Sequence, residues 1–135
     1  MILVDTSVII DSFKGNKHDK TELFKKILLQ GISFGIASYT YQEVLQGARD
    51  EIEYEKLKEY LSTQRIYFLP QVAETYEKAA SIIFLLKRQG ITVRSSIDAL
   101  IALTAIENDL LLLHNDRDFD AMAEKMPTLQ ILRQL

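Results

Sequence analysis

The chain has 135 residues, of which 47% are hydrophobic and 26% charged, and its formal net charge is −3. This composition is typical of one folded domain, and a chain of this length buries about two-thirds of its unfolded surface, which is enough for a sizeable core. The chain has no cysteine, which excludes disulfide scaffolds, zinc ribbons, iron–sulfur clusters and thiol catalysis. We therefore expect a single domain over residues 1–135, located in the reducing cytoplasm.

Charge and hydropathy limit the partners that the chain can have. The N-terminal apolar run reaches Asp5 before it becomes a signal sequence, and no run approaches the ~20 residues of a membrane span. We therefore expect a soluble protein with no membrane partner. Sixteen Lys and Arg against nineteen Asp and Glu give no global positive field, so binding to nucleic acid requires local basic residues or bridging cations.

The first half of the chain alternates short apolar runs with amphipathic segments. In chain order, the patterns predict a strand at residues 2–4, a helical turn at 8–10, a loop at 14–18, a helix from an Asp19 N-cap to Gly31, a strand at 32–37, a helix capped by Ser38 or Thr40, and an amphipathic helix at 51–62.

The second half continues this alternation. The patterns predict a strand at 66–69 before Pro70, a long helix at 71–89 before Gly90, an apolar helix at 97–106 capped by Ser95 and Ser96, a strand at 110–113, a short helix at 116–124, and a strand at 129–132 after Pro127. Strands that alternate with helices predict a three-layer α/β/α domain with a central, mostly parallel sheet.

Four acidic residues stand where such a fold brings strand ends together. Asp5 follows the first strand, Glu43 lies in the helix after the second, Asp98 opens the apolar helix, and Asp116 follows the fourth strand. Ligands of open parallel sheets bind outside the carboxyl ends of the strands, where the strand order reverses. The sequence therefore predicts that these carboxylates converge at one edge of the sheet.

Each acid also has a simpler interpretation as a helix cap. Thr40-x-x-Glu43 and Ser95-x-x-Asp98 match the capping box, and Asp116 is a possible N-cap. If the acids do converge, two carboxylates ~4 Å apart repel by about 4 kcal/mol at an effective dielectric of ~20, so the cluster needs a cation or protons. Oxygen ligands favour Mg²⁺ or Mn²⁺ over Zn²⁺.

Four short segments contain these acids, namely residues 4–7 (VDTS), 41–44 (YQEV), 96–102 (SIDALIA) and 114–119 (HNDRDF). In this order, the segments resemble the motifs of PIN-domain nucleases, and among them those of the VapC-like toxins of type II (VapBC) toxin–antitoxin systems. The resemblance spans essentially the whole chain.

This resemblance implies a Mg²⁺-dependent endoribonuclease toxin, with Mn²⁺ as a substitute ion, that cleaves a tRNA or ribosomal RNA loop and is inhibited by a VapB-like antitoxin. The implied residues are the catalytic acids Asp5, Glu43, Asp98 and Asp116, of which Asp5, Asp98 and Asp116 hold the metal, and the supporting residues Thr6, Ser7, Asn115 and Asp118.

Other polar residues near the acids receive separate interpretations. We interpret His114 as a spectator, because the resemblance assigns no role to histidine there, and we expect His18 to be exposed in a loop. Basic residues in flanking loops are the candidates for contact with the RNA backbone, namely Lys14, Lys17, Arg94 and Arg117.

A surplus of apolar side chains predicts a homodimer and an antitoxin interface. The residues beyond the expected core stripes are Ile82, Phe84, Leu85, Leu132 and Leu135, and exposed apolar patches usually mark protein contacts.

Several alternatives remain open. A receiver domain also has an acidic Mg²⁺ pocket but expects paired acids after the first strand, where this chain has Asp5 followed by Thr6 and Ser7. A haloacid-dehalogenase-type phosphatase expects a second Asp at position 7. A metal-free binding module would have acids that serve only as caps, and a housekeeping PIN nuclease of RNA processing would share the chemistry but differ in substrate and partner.

Overall fold

A computed structural model describes all residues, 1–135. It contains five strands and seven helices, in the order β1 (Ile2–Val4), α1 (Thr6–Phe13), α2 (Asp19–Leu29), β2 (Phe34–Ala37), α3 (Ser38–Gln46), α4 (Glu51–Ser62), β3 (Arg65–Tyr67), α5 (Ala73–Arg88), α6 (Ser96–Glu107), β4 (Leu111–Leu113), α7 (Arg117–Lys125) and β5 (Gln130–Ile131). None of the helices combines the length and the apolar character that crossing a bilayer requires.

The strands form one sheet with the order β3-β2-β1-β4-β5. Every neighbouring pair is parallel, which confirms the predicted α/β architecture and makes the sheet wholly rather than mostly parallel. The chain builds the sheet outward from β1 in one direction and then returns to add β4 on the other side of β1. The crevice between β1 and β4 is therefore the topological switch point, where parallel sheets bind ligands.

Helices cover both faces of the sheet and create two cores. Alternate residues of a strand point to opposite faces, so Leu3 belongs to the core under α5, α6 and α7, whereas Ile2 and Val4 belong to the core under α1, α2, α3 and α4. All three residues of β1 are buried, as expected for a central parallel strand that helices cover on both faces.

Two predicted helix starts were wrong. The N-cap of α2 is His18 rather than Asp19, because its Nδ1 accepts hydrogen bonds from the backbone N–H groups of Lys20 and Thr21. The His18 side chain is 29% exposed and pairs with Asp11, so it is not a free loop residue. Neither Ser38 nor Thr40 caps α3, which begins directly after β2 at an Ala37 N-cap without a side-chain hydrogen bond.

The core face of α5 also needs correction, because the spacing of its apolar residues predicts a face made of Val72, Tyr76, Ala79, Ala80, Ile83 and Leu86. Its buried residues are Thr75, Ala79, Ile82 and Leu86, a stripe at alternating spacings of four and three. Tyr76 lies one position beyond this stripe and Val72 precedes the helix, so both are about half exposed (47% and 52%) rather than in the core.

Two of the predicted surplus residues, Ile82 and Leu132, are buried, whereas Phe84, Leu85 and Leu135 are exposed. Strand bounds differ as well: β2 begins at Phe34, β3 is Arg65–Tyr67 and β5 is Gln130–Ile131, because only these residues pair with neighbouring strands.

Candidate metal centre

The first acid, Asp5, lies at the switch point between β1 and β4. Its backbone N–H donates to the carbonyl of Leu113 at 2.9 Å, which ties the ends of the two strands together. Its Oδ2 accepts from the Ser7 backbone N–H at 3.1 Å and from Ser7 Oγ at 2.6 Å. Its Oδ1 is buried and has no hydrogen-bond partner. One half of this carboxylate is therefore fixed, and the other half lacks a compensating donor.

Burial raises the pKa of Asp5 to about 6, because only 3% of the residue is exposed. The hydrogen bonds from Ser7 and Thr6 oppose this shift, and the charge of Glu43 adds to it. An acid whose charged form is this poorly solvated favours a proton or a cation nearby.

Glu43 reaches the same edge from α3. Its Oε1 accepts a hydrogen bond from Thr6 Oγ1 at 2.8 Å, and Thr6 Oγ1 lies 3.1 Å from the buried Thr40 Oγ1. These contacts, together with the Ala37 N-cap, exclude the capping-box interpretation of Thr40 and Glu43. Thr6 therefore links the first acid-bearing segment to the second.

Asp98 lies in the first turn of α6. Ser95 caps this helix alone, by accepting from the Ile97 backbone N–H at 3.2 Å, so Asp98 forms no capping box with it. The pKa of Asp98 is raised to about 7, first by burial and then by the negative charges of four other acids, which are Asp5, Asp116, Glu43 and Asp118. Asp98 is thus surrounded by the three other predicted catalytic acids and by Asp118.

Asp116 and Asp118 open α7 and share one arginine. Asp116 Oδ1 accepts from the Asp118 backbone N–H at 2.9 Å, so Asp116 is also an N-cap, as its position allowed. Arg94 Nη2 lies 3.1 Å from Asp116 Oδ1, and Arg94 Nε lies 3.1 Å from Asp118 Oδ2. The backbone N–H of Arg94 also donates to Asp118 Oδ2, at 3.3 Å.

The tightest group of carboxylates is Asp98, Asp116 and Asp118, each of which offers one oxygen within 4.8 Å of the others. The sequence predicts Asp118 as a supporting residue. In the structure it lies instead in one group with two of the predicted metal ligands, Asp98 and Asp116. Asp5 lies outside the group but still acts electrostatically on Asp98.

These residues fit a hard divalent cation. The donors are all carboxylate oxygens, as Mg²⁺ and Mn²⁺ prefer. Two ligands of one Mg²⁺, each about 2.1 Å from the ion, lie at most about 4.2 Å apart, which small side-chain movements reach from the observed spacing. The unpartnered Asp5 Oδ1 supplies a further oxygen that lacks any other partner.

The supporting residues form a hydrogen-bonded chain behind Asp5. Ser7 Oγ donates to Asp5 and accepts from the Asn115 backbone N–H at 3.0 Å. The Asn115 side chain lies 3.3 Å from Asp11 Oδ2, which is 2.9 Å from His18 Nε2. Asp11 is not among the site residues that the sequence predicts. No local pattern indicates it, because its partners come from the α1–α2 loop and from the segment after β4.

The four basic candidates differ in their surroundings. Arg94 is bound to the acids, so its guanidinium is not free in this arrangement. Lys14 is the C-cap of α1, and eight helical residues place it about 12 Å along the axis from Asp5. Lys17 and Arg117 are exposed.

Arg94→Ala is expected to bind Mn²⁺ several-fold more tightly than the unaltered protein in the absence of RNA. The reason is that the Arg94 guanidinium competes with the cation for Asp116 and Asp118. Isothermal titration calorimetry measures the affinity. Arg117→Ala is the matched control, because Arg117 is adjacent to Asp116 in sequence but is exposed. Weaker binding by Arg94→Ala would show that Arg94 orients the acids rather than competing for them.

Residues 2–125 match the model of the PIN domain family. The chain belongs to the PIN-domain family. Among curated relatives of this PIN domain, the VapC ribonuclease Mb1587 of Mycobacterium bovis and the ribonuclease VapC11 of Mycobacterium tuberculosis are each 30% identical over 128 residues, which cover 91% of this chain and 92% of the relative. The resemblance drawn from the four motifs is confirmed.

Solved structures show the same fold. This PIN domain aligns with VapBC2 of Rickettsia felis at a TM-score of 0.70 and 18% identity, over 98% of both chains. It aligns with a toxin–antitoxin complex of Klebsiella pneumoniae at a TM-score of 0.69 and 21% identity, over 100% of both chains. Its strand order of 3-2-1-4-5 differs from the 2-1-3-4-5 order of flavodoxin-like receiver domains, which excludes the receiver alternative.

Proposed function

We propose that this PIN domain is a Mg²⁺-dependent endoribonuclease, with Mn²⁺ as a substitute ion, and that it acts as a VapC-like toxin. The observation that supports this most directly is the convergence of Asp5, Glu43, Asp98 and Asp116 at the switch point, where Asp5 Oδ1 is buried without a partner. In this proposal Asp5, Asp98 and Asp116 hold the ion, with Asp118 beside them.

The chemistry requires attack of water on a phosphodiester and departure of the opposite oxygen. A divalent cation held by the acids supplies activation of water and stabilisation of negative charge on the phosphate. Glu43 Oε1 is engaged by Thr6, so Oε2 is the atom available to accept a proton from the attacking water. Ser7 holds Asp5 in a fixed orientation, and Arg117 and Lys17 are free to contact the RNA backbone.

His114 is not required as a base in this proposal. His114 is only 2% exposed, and its Nδ1 accepts from the Asp116 backbone N–H at 3.0 Å. Burial also lowers the pKa of His114. A group that is so enclosed has no lone pair directed to the substrate.

The comparisons favour the toxin over a housekeeping nuclease. The curated relatives are VapC ribonucleases, and several structural neighbours are VapBC or other toxin–antitoxin complexes. VapC20 of Mycobacterium tuberculosis, which aligns at a TM-score of 0.63, is described as cleaving the sarcin–ricin loop. We therefore propose a structured RNA loop of tRNA or ribosomal RNA as the substrate and a VapB-like antitoxin as the inhibitor.

The test is cleavage of total RNA by the purified protein. We expect cleavage with Mg²⁺ or Mn²⁺, its loss with EDTA, and its recovery when the ion is restored. Sequencing of the new 5′ ends identifies the loop. Cleavage that persists in EDTA would contradict the metal dependence, and absence of cleavage in any RNA pool would contradict the proposed activity.

A second expectation concerns self-association through α5. Phe84 and Leu85 are 58% and 54% exposed, and beside them lies a cavity of ≈ 510 Å³ lined by residues of α5 and α6, including Tyr76, Ile83 and Leu100. We expect light scattering to give the mass of a dimer and the double variant Phe84→Asp/Leu85→Asp to be a folded monomer. Leu29→Asp, at an exposed position of α2, should remain dimeric. A monomeric unaltered protein at tens of micromolar would contradict this interface.

A further inference from the structure

One buried polar side chain next to the acids has no role in the proposed chemistry. His114 follows β4 directly and packs against the Phe119 ring, with ring centroids 5.1 Å apart. Its Nε2 lies 3.3 Å from Asp120 Oδ1 but makes no hydrogen bond. Burying an imidazole costs free energy unless its polar atoms are satisfied, and here the only satisfied atom is Nδ1.

The partner of Nδ1 is the backbone of a proposed metal ligand. Nδ1 accepts from the Asp116 N–H at 3.0 Å, which requires that Nδ1 carries no proton and that the neutral ring carries its proton on Nε2. Asp116 has an extended backbone at the start of α7. The hydrogen bond therefore fixes where the chain turns from β4 toward α7.

The direction of the Asp116 carboxylate depends on this turn. Its Oδ1 already accepts from the Asp118 N–H and from Arg94, so Oδ2 is the oxygen of Asp116 that these contacts leave unoccupied. If the Asp116 N–H were released, the whole residue could rotate relative to β4, and the three-carboxylate group of Asp98, Asp116 and Asp118 would lose its spacing.

We propose that His114 is a positioning residue, whose Nδ1 holds the Asp116 backbone so that the Asp116 carboxylate joins the metal site. The effect of His114 on the metal site rests on the proposed function. The hydrogen bond between His114 Nδ1 and the Asp116 N–H can be tested without metal. His114 acts here through Asp116 and touches neither the ion nor the RNA.

Two substitutions separate positioning from packing. In His114→Asn, the side-chain Oδ1 takes nearly the place of Nδ1 and can accept from the Asp116 N–H, but the smaller side chain leaves space beside Phe119. In His114→Gln, the longer side chain fills more of the imidazole volume and places its amide near the Nε2 position, where it cannot serve Asp116. If His114 served only for packing, His114→Gln would perturb the protein less than His114→Asn. If His114 positions Asp116, His114→Asn would perturb the protein less than His114→Gln.

The first measurement is hydrogen exchange of the Asp116 amide in the metal-free protein, with melting temperatures recorded for both variants. We expect protection in the unaltered protein and in His114→Asn, and loss of protection in His114→Gln. An Asp116 amide that exchanges freely in the unaltered protein would overturn the proposal whether or not the variants fold.

The second measurement is Mn²⁺ affinity by isothermal titration calorimetry. Replacing a group one step removed from a metal costs about 10- to 100-fold in affinity, so we expect a loss of about 10-fold or more for His114→Gln and near-normal binding for His114→Asn. Normal binding by His114→Gln would overturn the positioning role and leave the proposed function intact. A protected Asp116 amide in an unaltered protein that binds no Mn²⁺ would instead refute the proposed function, and with it the consequence drawn for His114.

Discussion

Asp98→Asn is expected to lower RNA cleavage by more than about 100-fold, the upper end of the loss for groups one step removed from a metal. The same substitution should leave the metal-free protein as stable as before or more stable. The reason is that burial, and then the charges of four other acids, raise the pKa of Asp98 to about 7, so removing its charge relieves both the desolvation cost and the repulsion. Asp5→Asn should behave in the same way, since burial raises its pKa to about 6.

Cleavage assays and thermal melts in EDTA measure the two effects together. Asp109→Asn is the matched control, because Asp109 is exposed at the turn before β4 and adopts a positive φ of 53°, which asparagine tolerates. It should change neither property. If Asp98→Asn and Asp5→Asn both lost stability while cleavage was retained, the two acids would stabilise the fold and have no part in catalysis.

The melting temperature of the metal-free protein is expected to fall as the pH rises from about 5 to about 8. The folded-state pKa values of Asp5 and Asp98 lie above the ordinary value of 3.8, so the folded state keeps protons that the unfolded chain has released. Stability contributed by such groups is fully present below pH 3.8 and is lost as the pH rises through the raised values. For the buried Asp5, the shift from 3.8 to about 6 corresponds to about 3 kcal/mol.

His114 has the opposite effect on the melting temperature. Burial lowers its pKa below 6.5, so its contribution to the stability of the folded state increases as the pH rises to 6.5. Comparison with the double variant Asp5→Asn/Asp98→Asn isolates the acids, since the variant keeps His114. The double variant should lose much less stability between pH 6.5 and 8, and saturating Mg²⁺ should flatten the profile of the unaltered protein. A melting temperature in EDTA that rises with pH, or that changes with pH in the same way in both proteins, would contradict the raised pKa values of Asp5 and Asp98.

The sequence predicted the parts of the fold that depend on local patterns. The wholly apolar run before Asp5 indicated a central strand because such runs suit only strands that helices cover on both faces. The convergence of the acids could be predicted in the same way, because the carboxyl ends of parallel strands lie at one edge of the sheet. The four motifs then indicated the family. The wrong start of α2 came from His18, whose ring caps the helix although histidine is not among the common N-cap residues.

Contacts between distant segments were beyond the reach of these patterns. Arg94 and Asp118 are 24 positions apart, and their pairing depends on how the loop before α6 lies against the start of α7. For the same reason, neither the pairing of Arg94 with Asp116 and Asp118 nor the place of Asp118 beside Asp98 follows from local sequence patterns. The exposure of Tyr76 also could not be predicted, because a one-position rotation of α5 decides which stripe of residues faces the core.

A Mn²⁺ titration followed by electron paramagnetic resonance determines whether Asp5, Asp98 and Asp116 form one divalent-cation site. The signal of free Mn²⁺ reports binding without any RNA substrate. We expect saturable binding by the unaltered protein and by Asp109→Asn, and severely weakened binding by Asp5→Asn, Asp98→Asn and Asp116→Asn. Binding by these three variants that equals that of the unaltered protein would show that these acids do not hold the cation.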